Sequence, residues 1–130
     1  MRALLYALVL TSVALPAHAA LAPHYYEQAR AEAADVVVID VSSVTPPVAA
    51  TTGHGPCVVA GTVAAVERGA RYTVGEEITI EVLCRLPHAE MMVGPVQWKD
   101  VATLSAAPRG RAFLNNGEIA LYQYDVLSER

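Results

Sequence analysis

Apolar and polar residues alternate strictly along residues 78–84 (ITIEVLC), so that Ile78, Ile80, Val82 and Cys84 share one face of an extended chain and Thr79, Glu81 and Leu83 the other. That period of two predicts a half-buried strand with Cys84 turned inward. A second strand is predicted over residues 57–67 (CVVAGTVAAVE). Residues 35–44 (DVVVIDVSSV) are aliphatic and β-branched at positions of both parities, which predicts a strand buried on much of both faces, ended by Pro46 and Pro47. The Thr-, Gly- and Pro-rich stretch 49–56 predicts a loop. Near the end of the chain, strands over 111–114 and 119–124 flank Asn115, Asn116, Gly117 and Glu118. Asn-Gly tolerates the positive backbone angles of a tight type I′ turn, so these two strands form a hairpin in which Tyr122 and Tyr124 share a face and pack into the core. Residues 85–110 are broken up by Pro87, Gly94, Pro95 and Pro108 and predict at most a short strand over 96–103. Residues 20–33 predict a short helix, with Pro23 in its first turn and Tyr25, Tyr26, Ala29 and Ala33 on one face.

The first nineteen residues have a different character. Met1 and Arg2 make a positive start, residues 3–15 are apolar apart from Tyr6, Thr11 and Ser12, and Pro16 precedes the small-residue trio Ala17, His18, Ala19. This is the order of a secretory signal, with cleavage expected between Ala19 and Ala20. The apolar run is too short for a membrane span, which needs about 20 residues. The expected layout is a cleaved leader, 1–19, and one domain, 20–130, placed in a bacterial periplasm or outside the cell without membrane insertion after cleavage. The full chain has 9 basic and 13 acidic residues; the leader takes away Arg2 and no acid, leaving a net charge of −5. Such an acidic chain, with one Trp and one Phe, excludes nucleic acid as an expected partner.

Export places Cys57 and Cys84 where thiols oxidise, and two cysteines allow a single intramolecular pairing, so a Cys57–Cys84 disulfide is expected. If the two lie directly opposite each other in a hairpin, Val59 faces Val82, Val63 faces Ile78 and Arg68 faces Thr73, leaving residues 69–72 as a four-residue connection. The alternative is a tetrahedral zinc site from His54, Cys57, Cys84 and His88, in a His-x2-Cys and Cys-x3-His arrangement that is not a standard finger spacing.

A helix and a β-run, followed by Arg68-Gly69, Val74-Gly75, the strand 78–84 ending in Cys84, and Gly110 before Phe113-Leu114, resemble the layout of netrin-like modules, the group that includes the tissue inhibitors of metalloproteinases. The resemblance implies a mainly β fold, an OB-like five-stranded Greek-key barrel with a short N-terminal α-helix. It does not carry over the group's inhibitory mechanism, which depends on an amino-terminal cysteine chelating the target's zinc; the expected mature terminus here is Ala20, and neither cysteine is near it.

Catalytic equipment is not visible. The expected disulfide removes both thiols as nucleophiles, and no Cys-x-x-Cys is present. Ser42, Ser43, Ser105 and Ser128 lack a nucleophile-elbow setting. Glu76 and Glu77 are adjacent at a strand start and would point to opposite faces, which suits solvation better than acid and base work. His24, His54 and His88 each stand beside loop-forming residues. Trp98 is the large anchor of an irregular segment; it plugs the barrel end or contacts a partner. The expected function is therefore a non-enzymatic protein-interaction module without a cofactor, docking on another exported or envelope protein. A small-ligand or metal carrier is the alternative, although Glu67, Glu76, Glu77 and Glu81, spread along one hairpin, do not converge as tight calcium or zinc binding requires.

Overall fold

The computed structural model describes residues 21–48 and 52–129. The expected leader, its cleavage site and residues 49–51 of the expected loop lie outside the described residues. The elements run α1 (Pro23–Glu32), β1 (Asp35–Thr45), β2 (His54–Arg68), β3 (Glu77–Arg85), β4 (Lys99–Asp100), α2 (Val101–Ala106), β5 (Arg109–Asn115) and β6 (Glu118–Leu127). The protein is mainly β, with one sheet in the order β4-β3-β2-β1-β5-β6 curled into a half-barrel. Every pairing is antiparallel except β3 with β4. The sheet thus has six strands where five were expected, the additional one being the two-residue β4. No helix among the described residues is long and apolar enough to cross a membrane.

The apolar runs explain the middle of this sheet. Val36, Val37, Val38 and Ile39 of β1 are all buried, because β1 is covered on both faces. Val37 and Ile39 join the main core with Val59, Val63, Ile78, Ile80 and Leu114, while Val36 joins Ala33, Phe113 and Ala120 in a smaller cluster on the other side. The pairing of β1 with β2 shifts register at three places. Each irregularity adds local twist, which is how a fifteen-residue β2 can bend from one partner to the next. Gly61 sits at this bend, where a Cβ would lie 2.1 Å from the Asp40 carbonyl oxygen.

Several expectations change. Cys57 pairs with Val82 and Gly55 with Cys84, so the hairpin register is displaced by two residues from the directly opposed arrangement. A displacement of two preserves the inward face of every side chain, and the cysteines bond diagonally instead, with Cα atoms 5.7 Å apart. The connection grows to residues 69–76, because β3 begins only at Glu77 while β2 runs on to Arg68 against β1. It is held by Asp35, which is 5% exposed and accepts a hydrogen bond from the Arg71 N–H at 3.3 Å. Strand β2 starts at His54, inside the stretch expected to be a loop. Pro56 is tolerated there because the pairing with β1 reaches only Val58, leaving that side of Pro56 without a strand partner among the described residues.

Of the 96–103 stretch expected to hold a short strand, only Lys99–Asp100 is one, and its last three residues begin helix α2. Leu104 explains the change: it is 2% exposed and closes the end of the core, with Val101 packed beside it. Helix α1 forms where expected, but no residue of it is buried and Tyr25 is 48% exposed. Polar contacts, rather than an apolar face, hold it down.

Candidate functional site

The half-barrel leaves a seam between β3 and β6. No strand pairing joins these two among the described residues, although they come within 8 Å, Cα to Cα, at points along their length. At one end the chain bridges the seam itself. Lys99 and Asp100 pair in parallel with Cys84 and Arg85 of β3, and Gln97 accepts a 2.8 Å hydrogen bond from the Gln123 amide of β6. Arg85 binds Asp100 at 2.6 Å, which fixes β4 against β3, and the hydrogen bond to Asp100 raises the guanidinium's already high pKa.

Beyond this bridge the seam opens into a groove of about 890 Å³. One wall is the edge of β3 from Thr79 to Leu83, the other is Gly117 to Ile119 with Leu121 and Tyr122 of β6, and Val58 and Gln97 complete it. Residues of both parities on β3 line it, so the groove runs along the strand's backbone edge rather than over one of its faces. In an antiparallel pair every second residue turns its N–H and C=O away from its partner. Along residues 79–83 those groups are turned from β2 toward the groove.

The β6 wall is built on an irregularity. Leu114 pairs with Ile119 and Ala112 with Tyr124, so residues 120–123 all stand opposite Phe113. Three extra residues are accommodated by Leu121 and Tyr122, whose φ angles are +40° and +64°. Two successive non-glycine residues in the left-handed region are costly, on the order of 1–3 kcal/mol each, and persist only where their surroundings hold them. Gln123 does the holding. It is 2% exposed, and its amide also donates to the Leu121 carbonyl at 2.8 Å, while its carbonyl accepts from Arg30 of α1 at 2.6 Å.

Arg30 links the helix to this strand. Its guanidinium binds both carboxylate oxygens of Asp125, one contact being 2.9 Å, and lies 4.6 Å above the centre of the Phe113 ring. Two-pronged binding of a carboxylate fixes orientation as well as distance. The bulge also overturns the expected shared face of Tyr122 and Tyr124. Tyr124 is 2% exposed against the core, with its phenol pushed up to about 12 by burial, whereas Tyr122 is half-buried and lines the groove.

Of the residues singled out in the sequence for possible chemistry, Glu81 lines the groove, and the others fall elsewhere. Cys57 and Cys84 form the disulfide, S–S 2.04 Å, and both are fully buried. Their sulfurs are committed to each other, which leaves the alternative set His54, Cys57, Cys84, His88 without thiolate ligands. Among the described residues no group of three or more His, Cys, Asp and Glu is arranged to hold a metal ion. His54 is 9% exposed, approaches the Thr52 carbonyl through Nδ1 at 3.0 Å, and meets the half-buried Trp98 edge-on at 4.8 Å. Trp98 thus packs at the bridged end of the seam, next to the groove but not in its lining. His88 is exposed, Glu67 is bound by Arg111, and Glu76 accepts from the Thr73 N–H.

Leu121, Tyr122, Gln123 and Gln97 were not legible as site residues. Residues 119–124 are apolar at positions of both parities, so nothing in the local pattern marks where the strand breaks. Compared with known protein families, characterised proteins and solved structures, the chain matches none.

Proposed function

We propose that this chain is an exported, non-enzymatic protein-interaction module whose recognition surface is the seam between β3 and β6. The observation that carries the reading is that a strained, internally braced bulge in β6 lies along a seam where β6 does not pair with β3 and a backbone edge is left available. A fold selected only for stability gains by pairing that edge, so maintaining the opening at a cost points to use. The disulfide fits an oxidising compartment, periplasmic or extracellular. The strand order β3-β2-β1-β5-β6 with α2 before β5 is the order an OB-like Greek-key barrel would have with its final seam unzipped, which favours a five-stranded plan with β4 as an accessory. Trp98, beside the bridged end, would steady this surface or extend it.

A small-ligand carrier is the second reading, favoured by the groove's volume, which falls in the range of small-molecule sites. Site-specific photo-cross-linking separates the two. A benzophenone side chain at Thr79 or Ile119, in the groove, should give a discrete protein adduct in an envelope extract, and the same group at Met91, which is 80% exposed on the loop after β3, should not. Equal adducts at all three positions would remove the assignment to the seam. Turnover in a broad hydrolase screen would remove the non-enzymatic reading.

A further inference from the structure

We infer that the seam takes an extended peptide segment carrying basic side chains, which adds to the free edge of β3 as a strand continuing the row begun by β4. This deepens the proposed interaction role and rests on it. Chain geometry is the first reason. β4 already occupies that row opposite Cys84 and Arg85, so the protein itself shows that a backbone fits against the β3 edge there. The row then stops, and residues 78–83 have no partner on that side among the described residues. Six residues of strand span about 20 Å.

The second reason is charge. Among the described residues, Glu81 and Glu118 are the charged ones lining the groove, both exposed, and no Lys, Arg or His lines it. Arg71 approaches the Gly117 end, its guanidinium 3.5 Å from where a Cβ would stand. A basic side chain on the incoming segment therefore finds Glu81 near the middle of the β3 wall, with Thr79 and Leu83 two positions away on the same strand face. Apolar side chains meet Ile119, Leu121 and Tyr122 across the groove. An added strand sits about 4.8 Å from β3 and needs the opposite wall about 10 Å away, so the guest occupies the open stretch of the groove and not the points where β3 and β6 come within 8 Å of each other. The β6 bulge then supplies side-chain contacts and leaves the backbone of β3 to the guest, the division of labour of strand addition elsewhere.

The test uses the disulfide-bonded chain 20–130 and three synthetic hexapeptides: alternating Val-Lys, alternating Val-Glu, and Val-Lys N-methylated at alternate backbone nitrogens so that it cannot pair. Anisotropy of labelled peptide gives affinity, and hydrogen–deuterium exchange reports on residues 78–83. The Val-Lys peptide should bind and slow exchange there; the Val-Glu and N-methylated peptides should bind at least tenfold more weakly. Glu81→Lys, a change at an exposed position that leaves the core intact, should invert the preference between Val-Lys and Val-Glu. Equal binding of the N-methylated peptide would refute strand addition, and equal binding of Val-Glu to the unsubstituted protein would refute the charge assignment. Slowed exchange at residues 78–83 that follows protein concentration without peptide would give the edge to a second copy of this chain and overturn the inference. A protein adduct at Thr79 or Ile119 with no peptide protecting β3 would sink the inference while leaving the interaction module standing.

Discussion

Position 121 offers a test in which the usual ranking of residues in a strand is reversed. At an extended, half-buried strand position Leu→Val is close to neutral, and Leu→Gly costs about 0.5–1 kcal/mol in backbone entropy plus roughly 1 kcal/mol of lost burial. Leu121 instead has φ +40°. A left-handed conformation costs an L-residue about 1–2 kcal/mol, which glycine does not suffer. Relief of that cost offsets the glycine losses, so Leu121→Gly should leave stability within about 1 kcal/mol of the parent. Leu121→Val should lose about 1–2 kcal/mol, because a β-branched residue is worse in this region and one methylene, worth about 0.8 kcal/mol, is removed. Glycine should therefore be more stable than valine, by about 1 kcal/mol. Urea unfolding of the disulfide-bonded chain, followed by the fluorescence of the single Trp98, measures the difference directly. Valine at parental stability with glycine about 2 kcal/mol below it would show an ordinary strand at this position, and the account of the seam as a braced opening would fail with it.

Replacing Cys57 and Cys84 together by Ala should cost about 3–4 kcal/mol, since the bridge closes a sequence separation of 27; a loss under 1 kcal/mol in denaturant titration would show that the unfolded chain is not restrained by it. Gly110→Ala places a Cβ 1.8 Å from the hydroxyl and 2.1 Å from Cζ of buried Tyr124, and should lower stability by about 1–3 kcal/mol or more through forced repacking; calorimetry showing an unchanged melting temperature would contradict that contact. Burial raises Tyr124 from 10.0 to about 12, which favours the neutral phenol in the folded state. Its contribution is complete below pH 10 and is lost as pH rises through 12, so ultraviolet titration should find one tyrosine ionising late and stability falling across that window, a fall absent in Tyr124→Phe.

The alternation of residues 78–84, the double-sided aliphatic run of β1 and the Asn116-Gly117 turn are short-range signals, and each determined its element from the sequence alone: strands in those places and a two-residue turn with φ of +51° and +83°. With two cysteines, the sequence likewise left a single intramolecular disulfide, Cys57 with Cys84, although only the structure decided between that bridge and the zinc alternative. What it left open was every quantity fixed between distant segments. A two-residue displacement of β2 against β3 keeps all faces inward, so the face pattern cannot distinguish Cys57 opposite Cys84 from Cys57 opposite Val82; the pairing of the rest of β2 with β1 decides it. Leu104 became helical because the open end of the core needed covering, a demand from strands remote in sequence. The seam is the furthest removed from local pattern. Leu121 and Tyr122 have no intrinsic preference for left-handed backbone, and they adopt it because Gln123 finds partners in Arg30, 93 residues earlier, and Gln97, 26 residues earlier. Local pattern specifies which residues seek the interior; only the assembled sheet specifies which edge is left without a partner.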